Sequence, residues 1–232
     1  MTRQSRGEPS FRYFTLISSL FVTTLIVSNI VAVKLVNLWG FYVPAAMVLF
    51  PLAYIFGDIL TEVYGFARAR QVIWLGFSCN LVAVLAILLS GALPPAPFWP
   101  PENQKAWDTI LGFSPRLLVA SFVAYLCGEF LNSFVLAKLK VRTRGRFLWL
   151  RTIGSTIVGG GVDSLIFITV AFYGVIPLKG IEEAILSQWF LKVAYEIVIT
   201  PLTYRIVRFL KQAEGIDPFD KETNFSPFSL EV

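Results

Sequence analysis

The stretch that decides the fold is Met47-Val48-Leu49-Phe50-Pro51-Leu52-Ala53-Tyr54-Ile55-Phe56, running into Gly57-Asp58-Ile59-Leu60-Thr61-Glu62-Val63-Tyr64-Gly65 and followed by Arg68 and Arg70. An apolar run ends in two carboxylates four residues apart. On a helix that spacing puts both acids on one face. Charges inside a bilayer are costly, so an acid in such a run marks a candidate functional site.

Working outward, the same apolar texture recurs along the chain. Of its 232 residues, 56% are hydrophobic and only 15% are charged. Soluble domains carry about one-quarter charged residues and have no need of repeated apolar runs of about 18 or more. The sequence therefore predicts an all-α polytopic membrane protein of one domain with six transmembrane helices. Their expected ranges are about 13–38, 43–64, 72–89, 115–139, 152–175 and 181–210. The basic start runs into an apolar stretch too long for a signal-peptide core, so it reads as a retained first helix. Trp39-Gly40-Phe41-Tyr42 reads as an aromatic interface turn. Ser90–Ser114, with Pro94, Pro95, Pro97, Pro100 and Pro101, reads as a long stiff loop. The segment after Gly215 is polar and is expected to be poorly ordered.

Fifteen of the twenty basic residues fall at one set of helix ends, including Arg68, Arg70, Lys138 to Arg151, and Arg205 to Lys221. The positive-inside rule then places both termini in the cytoplasm. Topology accounts for the net charge of +5, so nucleic acid is not called for. Anionic membrane lipid is the expected partner of the basic rim.

Several polar groups fall inside the spans. Asp58 lies one turn deeper than Glu62. Glu62 is expected either to pair with Arg68 or Arg70 near the interface or to act as a gate. Helix one carries Ser28, Asn29 and Lys34. Asn29 can donate and accept at once, as a polar heterocycle requires. Lys34 either snorkels outward or neutralises a buried acid. Helix four carries Glu129 and Asn132 beside a stripe of small residues, Ala120, Ala124 and Gly128, that reads as a packing face. Helix five carries Ser155, Gly159 and Asp163 on one face, within a run of three glycines that permits close backbone approach. Helix six carries Gln188, Lys192, Glu196 and Thr200 four apart, with Lys192 and Glu196 expected to pair. Cys79 and Cys127 lie in apolar runs and read as inert thiols rather than a disulfide or metal pair.

The chain has no histidine, the commonest general base and metal ligand. It has no phosphate loop, no H-E-x-x-H and no G-x-S-x-G. Acids, amides and aromatics inside spans, without such motifs, favour binding and translocation over catalysis. No cofactor or metal is called for.

The residues resemble a known family. Ser28-Asn29, Pro51, Asp58-Ile-Leu-Thr-Glu-Val-Tyr-Gly65, Ala67-Arg68-Ala-Arg70, Ala120-Ser121-Phe-Val-Ala124, and Arg151-Thr-Ile-Gly-Ser-Thr156 through Gly159 to Asp163-Ser164 occur in the order and spacing of the queuosine precursor transporter family. That family is also grouped with vitamin uptake transporters. One departure is Gly160, where the family commonly has Gln or Asn.

The resemblance implies a six-helix inner-membrane importer of 7-cyano-7-deazaguanine or 7-aminomethyl-7-deazaguanine for tRNA queuosine. The polar residues themselves put the expected substrate site among Asn29, Asp58, Glu62, Glu129, Ser155 and Asp163, centred between the helices of Asp58 and Asp163. A carboxylate can accept two adjacent N–H donors of the base edge, and Tyr54, Tyr64 or Trp74 can stack on the ring. Two alternatives stand beside it. One is a substrate-binding subunit of an energy-coupling-factor importer, with energising subunits not named by the sequence. The other is an intramembrane lipid-modifying enzyme.

Overall fold

The computed structural model of the chain describes residues 11–38, 41–112, 115–175 and 177–229. The helices are α1 (Phe14–Val31), α2 (Phe50–Tyr64), α3 (Phe66–Ala92), α4 (Pro101–Leu111), α5 (Pro115–Arg142), α6 (Leu148–Phe172) and α7 (Leu178–Glu214). Among the described residues, five helical segments are long and apolar enough to cross a membrane. The all-α polytopic architecture expected from composition is what the chain adopts.

The helix expected as the second span, α2, has 15 residues. At about 1.5 Å per residue it is shorter than the roughly 30 Å hydrocarbon core. It is also the central helix, packed against α1, α3, α5 and α7. Ile59, Leu60, Thr61, Glu62, Val63 and Tyr64 are all essentially inaccessible. Protein rather than lipid surrounds the carboxylates of α2, which is how an acid-bearing helix is tolerated at this depth.

Helix one does not continue to residue 38. It ends at Val31, and the chain forms an antiparallel hairpin, β1 (Leu35–Leu38) with β2 (Phe41–Pro44), in which Val36 faces Val43. The tip of the expected aromatic turn, residues 39 and 40, lies outside the described residues, as do residues 1–10 of the basic tail. Lys34 is exposed just before the hairpin and joins no buried acid.

Between α2 and α3 the chain turns on Gly65, whose φ is +87°. That value favours glycine. The helix restarts at once, so Arg68 and Arg70 lie in its first turns rather than in a loop. Within the expected stiff loop, Pro100 and Pro101 begin α4, because proline suits a first helical position.

The segment after Gly215 is docked, not loose. Asp217 bridges Lys140 and Lys211 at 2.7 and 2.8 Å. The Asp220 carboxylate accepts from the Phe66 N–H at 3.1 Å and caps α3, where an anion also meets the positive end of the helix. Arg70 donates to the Asn224 and Ser226 carbonyls, and Trp74 Nε1 donates to Pro227 O. Phe225 packs against Phe66 and Phe134, and the Lys138 ammonium sits 3.9 Å above its ring. Glu214 accepts from the backbone N–H groups of Arg12 and Tyr13. The start of α1 and the end of α7 therefore lie at the same basic end of the bundle.

Burial pushes the Asp217 carboxyl up, but hydrogen bonds from Lys140 and Lys211 outweigh this and hold it below its usual value. A carboxyl lowered by folding contributes stability above its unfolded value of about 3.9 and loses it as pH falls through the folded one. Asp217→Asn is expected to release the segment at neutral pH. Trypsin should then cut after Lys221 faster than in wild type, read from the mass of the freed fragment. An unchanged rate would mean that Asp217 does not hold the segment.

Candidate functional site

A cavity of ≈ 140 Å³ opens among α1, α2, α3, α5, α6 and α7. Its polar lining converges from separate helices. Asn29 Nδ2 donates to Asn80 Oδ1 at 3.0 Å, linking α1 to α3. Each amide keeps further donors and acceptors. Asp163 of α6 and Lys192 of α7 form an ion pair across the lining, and the Lys192 ammonium lies 5.7 Å from the centre of the Tyr54 ring on α2. Tyr125 donates to Ile73 O at 3.0 Å, which fixes its ring between α5 and α3.

Glu129 of α5 is the exposed chemistry of this cavity. It is 8% accessible, and its Oε2 has no hydrogen-bond partner among the described residues. The oxygen packs on the backbone of α2: a Cβ on Gly57 would stand 3.0 Å from it. Gln188 also lines the cavity with an unpartnered Oε1. Buried polar atoms usually find partners, so such orphans mark places for a ligand or an ion.

Three of the six expected site residues, Asn29, Glu129 and Asp163, therefore come together. The other three do not line the cavity. Asp58 is 1% accessible and accepts from Asn132 Nδ2 at 2.8 Å. Ser155 is buried and donates to Thr152 O on its own helix. Glu62 lies at the basic end in an ion network. Its partners are Arg151, through Nη2 at 2.8 Å and Nε at 3.1 Å, together with Lys211 and Lys140. The pairing expected with Arg68 or Arg70 is replaced by these cations from α5, α6 and α7. Arg70 is turned instead toward the C-terminal segment.

The Lys192–Glu196 pair is likewise replaced. Lys192 reaches across to Asp163, where the antiparallel neighbour offers a carboxylate, and Glu196 is left with an unpartnered Oε1. The glycine and small-residue stripes do form a helix crossing: a Cβ on Gly159 would stand 2.7 Å from Gly128 O. Both cysteines are free; Cys127 is exposed on the bundle surface.

The comparisons with known proteins agree with one another. Residues 44–206 match the family model described as "Putative vitamin uptake transporter". The chain is 32% identical over 188 residues to the "Probable queuosine precursor transporter" of Bacillus subtilis (strain 168), covering 81% of each chain. It is 29% identical over 156 residues to the "Queuosine precursor transporter" of Escherichia coli (strain K12), covering 67% of each. The chain belongs to the queuosine precursor transporter family. No solved structure matches it.

The chain is a transporter of this family and not an enzyme, and the residues that face the cavity are its candidate site. Asn80 was missed in the sequence, although a lone amide inside the apolar run Val72 to Leu89 is a usable signal. Tyr125 carries no such signal, since a tyrosine in a span is also an ordinary packing residue. Gln188 and Lys192 stood out by their spacing, but only the fold shows that Lys192 serves Asp163.

Proposed function

We propose that the chain imports 7-cyano-7-deazaguanine and 7-aminomethyl-7-deazaguanine across the inner membrane of a bacterium for the queuosine of tRNA. The observation that carries this reading is the small enclosed cavity with an unpartnered Glu129 oxygen. Pockets for drug-sized ligands run to roughly 300–1,000 Å³; this one suits a compact bicyclic base. Glu129 accepts the two adjacent N–H donors on the pyrimidine edge, a bidentate charge-assisted pairing. The amides of Asn29 and Asn80 serve the ring carbonyl. Tyr54 and Tyr125 provide aromatic surface for the flat ring. Asp163, balanced by Lys192, is the acid for an aminomethyl cation. The basic ends face the cytoplasm and its anionic lipids.

The test is restoration of queuosine in tRNA of a strain unable to make the precursors, supplied with either compound. Losing a hydrogen bond to a charged group costs about 1.5–3 kcal/mol, or roughly 10- to 100-fold in affinity. Glu129→Gln and Asp163→Asn are each expected to reduce uptake on that scale at limiting precursor, at equal amounts of protein in the membrane. Unchanged restoration in both variants would remove this site. No restoration by wild type with either compound would remove the substrate.

A further inference from the structure

A second set of buried polar atoms lies beside the cavity and is not used by the substrate site. Asp58 on α2 and Glu196 on α7 are each 1% accessible. Asp58 Oδ2 and Glu196 Oε1 have no hydrogen-bond partner among the described residues. Their helices, α2 and α7, pack against each other, and Glu196 is the strongest charge acting on Asp58.

Two further buried side chains with unpartnered oxygens lie on neighbouring helices. Asn132 of α5 bonds Asp58 through its nitrogen and leaves its Oδ1 unpartnered. Thr156 of α6 is 1% accessible with an unpartnered Oγ1. Gly160 faces Lys192. Because α6 and α7 are antiparallel, Thr156 and Glu196 stand opposite each other one turn nearer the basic end. Four unpartnered buried oxygens thus come from four helices that pack on one another.

Among the described residues, no cation pairs with either carboxyl. Lys192 is held by Asp163, and Arg151, Lys140 and Lys211 are gathered around Glu62. The other ionisable groups facing Asp58 are Glu129 on α5 and Glu62 on its own helix, and Tyr195 lies beside Glu196 on α7. All are acids. Two like charges cannot both persist at such a depth, and one proton shared between them removes the repulsion.

We propose that Asp58 and Glu196, with Asn132 and Thr156, form a proton-binding site that couples import to inward proton movement. The proton arrives from the outer side, is shared by the two carboxyls while the cavity holds substrate, and leaves to the cytoplasm when substrate does. This rests on the transport reading above.

Purified protein in lipid vesicles tests it in two ways. Infrared spectra of wild type at neutral pH should show a protonated-carboxyl band that loses intensity in both Asp58→Asn and Glu196→Gln. Bands unchanged in both variants would overturn the site, and this arm requires no substrate. In the second arm an inside-alkaline gradient should drive accumulation of a 7-deazaguanine precursor. One proton per substrate supports about tenfold accumulation per pH unit. Glu196→Gln should lose this accumulation while retaining counterflow of labelled against unlabelled precursor, which requires no net proton movement. Accumulation that persists in Glu196→Gln, or that follows a sodium gradient with no pH gradient, would overturn the coupling. If wild type shows no counterflow with either precursor, the substrate reading fails, and the infrared difference still decides the proton site.

Discussion

Replacing Glu62 by glutamine is expected to lower the stability of the fold by about 3–5 kcal/mol, the range for removing one partner of a buried ion pair. Glu62 is inaccessible to solvent, and its carboxylate is the anion on which Arg151, Lys211 and Lys140 converge. Without it, Lys140 and Lys211 are left with Asp217, which is itself half-exposed, and Arg151 loses the carboxylate it pairs with. Arg151 is fixed by more than charge: its guanidinium also donates to Thr143 Oγ1 and Arg146 O. Lysine has no planar fork to reproduce that set, so Arg151→Lys should also destabilise. At roughly 2–4 °C per kcal/mol for a chain of this size, the melting temperature of Glu62→Gln in detergent should fall on the order of 10 °C. Glu182, exposed at the start of α7, is the comparison, because surface substitutions usually stay within about 0.5 kcal/mol. If Glu62→Gln melts with Glu182→Gln, the network does not hold the basic end together.

The same network shows where a sequence is legible and where it is not. The depth of each charge could be read from the apolar runs around it, so Asp58, Glu62, Glu129, Asp163, Lys192 and Glu196 all stood out. Their partners could not. Reasoning along one helix offers the neighbour in sequence, Arg68 for Glu62 and Lys192 for Glu196. In the fold a partner on a crossing helix wins, Arg151 for Glu62 and Asp163 for Lys192, because antiparallel packing brings side chains far apart in sequence closer than those one turn away. The site moved for the same reason. Asp58 is deep, but Asn132 holds it away from the cavity that Glu129 and Asp163 line.

The end of α1 was illegible for a different cause. Residues 32–38 are as apolar as a helix requires, and hydropathy summed over a window does not distinguish a short period-two segment from a helical continuation. The C-terminal segment misled by composition. Its polar residues look solvated, but Asp217, Asp220, Phe225 and Phe228 each meet a specific partner on the bundle. Polarity measures the cost of burial and says nothing of the groups that offset it.

Placing alanine at Gly159 is expected to have a large effect from a single methyl group, whereas alanine at the next residue should have almost none. At Gly159 the new Cβ would stand 2.6 Å from Asn132 Cβ and 2.7 Å from Gly128 O. Carbon atoms in contact prefer about 3.5–4.0 Å, and neither neighbour is the free end of a flexible chain. The crossing of α5 and α6, the most extensive helix pair in the bundle, must open. Overpacking of this kind costs about 1–3 kcal/mol and sometimes more. The displacement would reach Asn132, which holds Asp58, and Asp163, which lines the cavity, so uptake should fall along with stability. A Cβ on Gly160 instead meets Lys192 Cδ and Thr156 Cγ2 at 3.6 Å, an ordinary contact. There the helix gains up to about 1 kcal/mol of intrinsic propensity. Melting temperatures of Gly159→Ala and Gly160→Ala should therefore shift in opposite directions or, at the least, differ by several degrees. Equal shifts would mean that the close approach of Gly128 and Gly159 is not what sets the packing of these two helices.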